Sequence, residues 1–460
     1  MKETFLKTIT ELIPDELIEK INSKGELYLV GGGVRDFFIT NKVRKTELDF
    51  LVIGFSLDEL QKTLRHYGTA IYVGKAFGVL KFFPKGNEKF EYDFTIPETR
   101  GCELPEIIVD LAQRDFSINA MALSLKTGTL YDPFGGRSDI EDKIVRLTRE
   151  GNFDDDPIRL LRAIRFAAQF GFRIEDRTWE DLCGKAEKIK EASAERIREE
   201  FLKILMLPDS PSAFRLMREA GLLKYILPEL HAAYGVKQGG LHQHDVFEHT
   251  ILAVKYADSD PRVKLAALLH DLGKPAKRIT LPDGHIAFYG HDLLSVKIAR
   301  RFLQELKFPT ELINDVTTII RYHMFSYGFS DKGLRRFIRR VGVERMPLLL
   351  KLRFADSMAQ HEGKTLRDEK LFAKRVLEEI NRKPPLTVRD LAVNGYDIMG
   401  TFSLQQGKII GDILKYLLSL VLDNPELNKK EILLQAAREY LAERNMKTKI
   451  GGGLGEHSGI

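Results

Sequence analysis

The stretch LYLVGGGVRD, Leu27 to Asp36, runs from four apolar residues into three glycines and an arginine, and Glu47-Leu48-Asp49 opens the next apolar run. A short apolar run closed by glycines reads as a strand ending in a tight turn. Glycines directly after a strand let backbone N–H groups approach a phosphate, and Arg35 adds a guanidinium able to grip it in two places. Glu47 and Asp49 lie two apart, so on a strand their carboxylates share a face. Two acids on one edge suit a pair of Mg²⁺ ions about 3.5–4 Å apart, the arrangement for in-line phosphoryl transfer. Taken singly, each feature also reads as an ordinary glycine turn or a solvated acidic pair.

Outward from this core, Phe50–Ile53, Ala70–Val73, Val79–Phe83 and Phe90–Thr95 read as further strands, with a hairpin turn at Pro84-Lys85-Gly86-Asn87. After Asp154 the texture turns helical and stays so to about Glu443. The pattern predicts an α+β chain: a small head with a mixed or antiparallel sheet, followed by an elongated all-α body. Nine of the eleven histidines fall between His231 and His361, which marks a separate module closed by Pro384-Pro385. The expected division is a head at 1–146, a helical neck at 147–230, a histidine-rich domain at 231–385, C-terminal helices at 386–447 and a disordered Gly-rich tail at 448–460. The 460 residues carry a net charge of +5, with 43% hydrophobic and 30% charged, a globular composition. Two cysteines exclude a disulfide framework and a Cys-rich zinc site. No apolar run approaches the ~20 residues that span a bilayer, and the start lacks the apolar core of a secretory signal. A cytoplasmic protein with no membrane partner is expected.

Further motifs give the glycine turn and acidic pair their context. VGGGVRD, ELD, LAQRDFSINAMA, YDPFGGRSDIEDK and DDPIRLLRAIRFAAQFGF resemble, in order, the motifs of bacterial class II tRNA nucleotidyltransferases and poly(A) polymerases, members of the polymerase β superfamily. The similarity runs on through SAERIREEFLKIL into the body and covers nearly the whole chain. It implies a polymerase β-like head in which Glu47 and Asp49 stand as the catalytic, Mg²⁺-holding pair, with Asp93 a candidate third carboxylate or a merely solvated one. Gly32 and Arg35 match the triphosphate contacts and Arg114 the nucleotide-contacting arginine. Asp115 either reaches the ribose or braces Arg114.

In DDPIRLLRAIR, Pro157 suits the first turn of a helix and Asp155 or Asp156 its cap. Asp156, Arg159, Arg162 and Arg165 then recur every three residues, so neighbours project side by side. The family uses the aspartate and first arginine as a protein template for the incoming base. A carboxylate accepts from the exocyclic amine of C or A while a guanidinium donates to a ring acceptor; G and U present the opposite pattern.

The chain departs from the family pattern in three places. Glu47 stands where the pair begins with Asp, and a displacement of ~1 Å at such a position can cost ~100-fold in rate. Gln113 replaces the first arginine of the usual RRD. The connection IPETRGCELPEIIV is short and lacks the Arg- and Asp-rich loop of members that add the terminal A. That shortness resembles enzymes that stop after CC and leave A to a separate A-adding enzyme, although ordinary loop-length variation gives the same appearance.

His249, His270-Asp271, His291, His323 and Asp356, with ALLHDLGKP around the central pair, resemble the HD phosphohydrolase domain fused to many of these transferases. Imidazoles and carboxylates from several helices suit one or two divalent transition-metal ions with an open position for water. RNA contact falls to dispersed Lys and Arg, including Lys332–Arg345, with the C-terminal helices implied by resemblance to hold the tRNA elbow.

The sequence thus predicts a template-independent nucleotidyltransferase that adds cytidines, CC or the complete CCA, to tRNA from CTP and ATP with Mg²⁺. A poly(A) polymerase, or an HD hydrolase whose inactive head only binds RNA, are the alternatives.

Overall fold

The structure is a computed structural model that describes residues 9, 12–42, 47–73, 78–86, 89–97, 105–239, 243–360 and 366–451, with the side chains of Glu47 and of 445–451 outside the description. Seven strands form the head sheet: β1 (Glu26–Val30), β2 (Glu47–Ile53), β3 (Gly68–Val73), β4 (Val79–Pro84), β5 (Glu91–Thr95), β6 (Ala122–Ser124) and β7 (Leu130–Tyr131). Their order is β3-β4-β5-β2-β1-β6-β7. Only β2 and β5 pair in parallel, so the sheet is mixed.

Position in this order explains the sequence of each strand. β1 and β2 are central, and Leu27, Tyr28, Leu29, Val30, Leu48, Phe50, Leu51 and Val52 are all buried. A strand covered on both faces has no solvent side and so no alternation. β4 and β5 alternate instead, burying Leu80, Phe82, Tyr92 and Phe94. Phe50 stacks on Phe94 at 4.9 Å and Phe82 meets Phe94 edge-on at 5.7 Å. Burying each such side chain is worth about 1.5–3 kcal/mol. β3 is the edge and leaves Ile71, Tyr72 and Val73 exposed. β6 and β7 were not among the strands legible in the sequence, because runs of two or three residues carry no periodicity. Asn87 of the expected hairpin turn, residues 98–104 of the short connection and 452–460 of the Gly-rich tail lie outside the described residues.

Helices α1 (Asp15–Lys24), α2 (Gly32–Thr40), α3 (Leu57–Leu64) and α4 (Glu106–Gln113) are among those that accompany the sheet. Ile107 and Leu111 of α4 pack on Tyr28, Val30, Leu51, Ala120 and Ala122. Beyond the sheet come α5 (Arg159–Phe170) and α6 (Ala194–Leu205), which pack on each other. α5 buries Leu160, Leu161, Ala163, Ile164 and Ala167, and stops where Gly171 takes the left-handed conformation. Its start corrects the sequence reading. Pro157 precedes the helix, Ile158 is the N-cap residue, and no side chain caps it. Asp156 instead closes the short helix Asn152–Asp155 in extended conformation.

The chain divides into two units, 1–228 and 229–460. In the second, α7 (Val246–Tyr256), α8 (Pro261–Leu269), α9 (His291–Glu305), α10 (Thr310–Tyr322), α11 (Asp331–Val341), α12 (Met346–Gln360), α13 (Arg367–Asn381), α14 (Lys408–Asp423) and α15 (Lys430–Gly451) are the main helices, the last of them running into the tail expected to be disordered. α8 begins at Pro261, capped by the Asp260 carboxylate, and buries Val263 and every residue from Leu265 to Leu269. Such a helix is central, with α7, α10 and α12 packed around it. Buried Arg335 on α11 donates to the carbonyls of Leu422 and Asp423 at 2.6 and 2.8 Å and to Glu379 at 3.1 Å. It thereby satisfies the otherwise orphaned end of α14. Among the described residues no helix is long and apolar enough to cross a membrane.

Candidate active site and a buried histidine–aspartate cluster

Strand register brings the glycine turn to the acids. Val30 pairs with Asp49 across the antiparallel β1–β2 ladder, and Asp49 pairs with Asp93 across the parallel β2–β5 ladder. Gly31 follows at once, with φ +66°. A Cβ there would lie 2.8 Å from Arg114 Nη1 and 3.0 Å from Asp49 Oδ2, so both the conformation and the crowding require glycine. Burial raises the Asp49 carboxyl above its ordinary range, Arg114 opposes that, and neighbouring Asp93 adds to it. Glu47 lies on β2, in register with Glu91.

A cavity of about 960 Å³ opens on this end of the sheet. Gly31, Gly32, Arg35, Asp49, Arg114 and Asp115 line it together with Asp156, Arg159, Arg162 and Arg165. Asp93 is not among the lining residues, and the Glu47 side chain lies outside the described residues. The arginines are held apart by separate partners. Arg35 donates to Asp36 and Asn119 and lies 5.0 Å over the rings of Phe166 and Phe170. Arg114 donates to Asp110 at 3.0 Å. Arg159 donates to Asn152 Oδ1 at 2.6 Å and to the Gln113 carbonyl at 2.7 Å. Arg165 pairs with buried Glu200 at 2.6 Å.

Asp115 lines the cavity, and its hydrogen-bond partners are groups other than Arg114. Its two oxygens accept from Asn119, from the Phe116 N–H and from Arg162 at 2.7 Å. Burial alone would raise its pKa, but Arg162 and these hydrogen bonds hold it below the ordinary value. Asp156 accepts two bonds from Arg196 of α6, at 2.9 and 2.8 Å. Asn119, Asn152, Glu200 and Arg196 were not read from the sequence as site residues. Asn119 sits in the quoted INAMA segment and Arg196 in SAERIREEF, but their meetings with Arg35 and Asp156 depend on packing 84 and 40 residues away.

The second unit gathers the six predicted histidines and aspartates. His249 lies on α7, His270 and Asp271 directly after α8, His291 at the start of α9, His323 at the end of α10 and Asp356 on α12. All are buried. Nδ1 of His270, His291 and His323 sits 2.7–2.8 Å from a backbone carbonyl three residues earlier. A carbonyl can only accept, so Nδ1 carries the proton and the Nε2 lone pair is left to point inward. Those Nε2 atoms approach Asp271 at 3.2–3.8 Å, and among the described residues they make no hydrogen bond. His249 Nε2 lies 3.1 Å from Asp356. His249, His270 and Asp271 form one set of convergent ligand atoms, and Asp271, His291 and His323 another. Burial opposes charge on both aspartates, yet the surrounding histidines keep them well below the usual range, with Lys274 also acting on Asp271. Asp271 and Asp356 push His270 up to about 10 despite its burial, so a metal ion ligated there displaces the proton that its Nε2 otherwise holds, and His323 falls to about 4 through burial and the neighbouring His270. Two buried anions surrounded by inward-facing imidazole nitrogens suit divalent transition-metal ions.

Glycines at a strand end, carboxylates on the adjoining strands and a cavity walled by arginines define a nucleotide-handling transferase head. The chain matches the family described as "Poly A polymerase head domain" over 27–146, the RNA and SrmB-binding site of polymerase A over 171–234, and tRNA nucleotidyltransferase domain 2 over 291–437. It is 31% identical to an A-adding tRNA nucleotidyltransferase of Deinococcus radiodurans, covering 85% of this chain and 90% of that one. To a CC-adding tRNA nucleotidyltransferase of Thermus thermophilus it is 32% identical, over 85% and 89%. The fold resembles that of the Bacillus stearothermophilus CCA-adding enzyme solved with CTP, at TM-score 0.69 and 23% identity over 94% and 98% of the two chains. The chain belongs to the tRNA nucleotidyltransferase and poly(A) polymerase family, and it is a nucleotidyltransferase. Members of this family work with a divalent metal ion.

Proposed function

We propose that this chain adds cytidines to the 3′ end of tRNA, stopping at CC, with CTP as donor. What supports the reading is a single cavity lined at once by Asp49, Arg35 and Arg114 and by Asp156 and Arg159. Glu47 and Asp49 would hold Mg²⁺, which when bound activates the RNA 3′-hydroxyl and neutralises charge at the α-phosphate. Arg35 and Arg114, backed by the N–H groups of the glycine turn, bind the triphosphate and orient its pyrophosphate as leaving group. Asp156 accepts from the exocyclic amine and Arg159 donates to the ring, which favours C and A over U and G. Arg162 and Arg165, paired with Asp115 and Glu200, hold α5 in place under that pair.

The CC limit rests on the connection from β5 to α4, only Ile96 to Pro105. Relatives named for A addition and for CC addition match at nearly equal identity, so likeness alone does not choose between them. The test supplies CTP, ATP or both to tRNAs ending before CC, after CC and after CCA. Two added cytidines and no adenosine are expected. Adenosine added only to the CC-ended tRNA would assign an A-adding enzyme and three additions full CCA synthesis. Long tails on generic RNA from ATP alone would assign a poly(A) polymerase. A head with no transfer activity would leave the HD hydrolase reading.

A second centre is favoured by the buried cluster of His249, His270, Asp271, His291, His323 and Asp356. We infer that it holds divalent transition-metal ions and hydrolyses phosphate esters. We read 1–146 as the head, 147–230 as the neck, 231–385 as the HD domain and 386–447 as the tRNA-binding helices, in a cytoplasmic protein.

A further inference from the structure

Asp156 needs a fixed carboxylate plane if it is to read a base edge, and its own surroundings do not supply one. It sits in extended backbone between two helices. Arg159, its partner in base reading, is turned to Asn152 and to the Gln113 carbonyl rather than to Asp156. What grips Asp156 is Arg196, whose two terminal nitrogens meet the two carboxylate oxygens one to one at 2.9 and 2.8 Å. This parallel pairing fixes orientation as well as charge. Arg196 is itself anchored: its backbone N–H is the one capped by the Ser193 hydroxyl, at the start of α6. Both side chains line the cavity that holds Asp49 and Arg35.

The chemistry follows from the lone pairs. A carboxylate oxygen can accept two hydrogen bonds, and a guanidinium met end-on through its two terminal nitrogens uses one on each oxygen. The second remains, in the plane that Arg196 sets, for an exocyclic amine. Arg196 also neutralises Asp156, which would otherwise repel an incoming triphosphate. We propose that Arg196 is a specificity-determining positioning residue: it holds the Asp156 carboxylate in the plane that accepts the amine of cytosine and refuses the carbonyl that uracil presents at the same edge. The inference rests on the reading of Asp156 as the base-reading acid.

The Arg196 side chain is about half exposed, so its loss leaves folding intact. The experiment measures kcat/KM for CTP and for UTP with tRNA lacking its terminal nucleotides, in the full-length wild type and in Arg196→Ala, Arg196→Lys, Asp156→Ala and the Asp156→Ala/Arg196→Ala double variant. Arg196→Ala is expected to cut the CTP-to-UTP preference roughly 10-fold or more, the scale of one two-point contact. Arg196→Lys, which keeps the charge and loses the fork, should fall between wild type and Arg196→Ala. The double variant should discriminate no worse than Asp156→Ala alone, because the two residues act as one device. If Arg196→Ala slows both nucleotides equally while Asp156→Ala collapses the preference, the positioning role is overturned and base reading by Asp156 stands. If Asp156→Ala itself leaves the preference intact, both fall together.

Discussion

Gly31 shows how much one residue without a side chain controls. It needs a positive φ, and it borders Arg114 and Asp49 too closely for a methyl group. Gly31→Ala is expected to reduce nucleotide transfer by about 100-fold, since displacements near 1 Å at reacting groups have that effect. Its melting temperature should fall by several degrees, because one strained left-handed residue costs about 1–3 kcal/mol; steady-state kinetics beside a thermal melt would check both. The glycine turn and Asp49 were legible in the sequence because strand ends and glycines carry local signals. The fate of Asp156 was not. Its local preference for capping a helix yields to Arg196, a partner 40 residues on, and no local pattern announces such a partner.

At the scale of elements, α5 is fastened to the head through Asp115, and that bond sets a pH dependence. Asp115 is buried and its pKa is depressed in the folded chain. An acid of lowered pKa contributes stability that is fully present above its unfolded value, near about pH 4, and lost as pH falls through the folded value. Replacing it, Asp115→Asn, leaves Arg162 with a neutral amide and with Glu200 at 3.9 Å as its remaining counter-charge. A hydrogen bond to a charged group is worth about 1.5–3 kcal/mol, so chemical denaturation at pH 7 should show a loss of that size. The difference between variant and wild type should narrow below pH 4. The sheet's long strands were readable from uninterrupted apolar runs, whereas β6 and β7 are too short to leave a pattern and exist because β1 offers an edge to β6 and β6 offers one to β7.

For the whole molecule, the second chemistry proposed for the buried cluster can be tested without touching the head. His270→Ala is expected to lower the transition-metal content of the purified chain, read by elemental analysis, while CTP addition to tRNA stays at its wild-type rate. The C-terminal helices are less separable than the proline pair before Leu386 implies. Arg335, from the histidine-bearing part, closes the end of α14 and pairs with Glu379. A chain ending at Pro385 would leave that buried guanidinium short of two carbonyl partners. Its melting temperature should fall by several degrees, and calorimetry of the truncated chain would reveal it.

The histidines of the second unit take their aim from the helix ends on which they sit. His270 and His323 each lean on a carbonyl of the last turn of α8 and of α10, so a ring keeps its heading only while that turn stays wound. Loosening of two helix tips and release of the proposed metal ions would then be one event rather than two. Amide hydrogen exchange at 267–270 and 320–323 should quicken in step as a chelator is added.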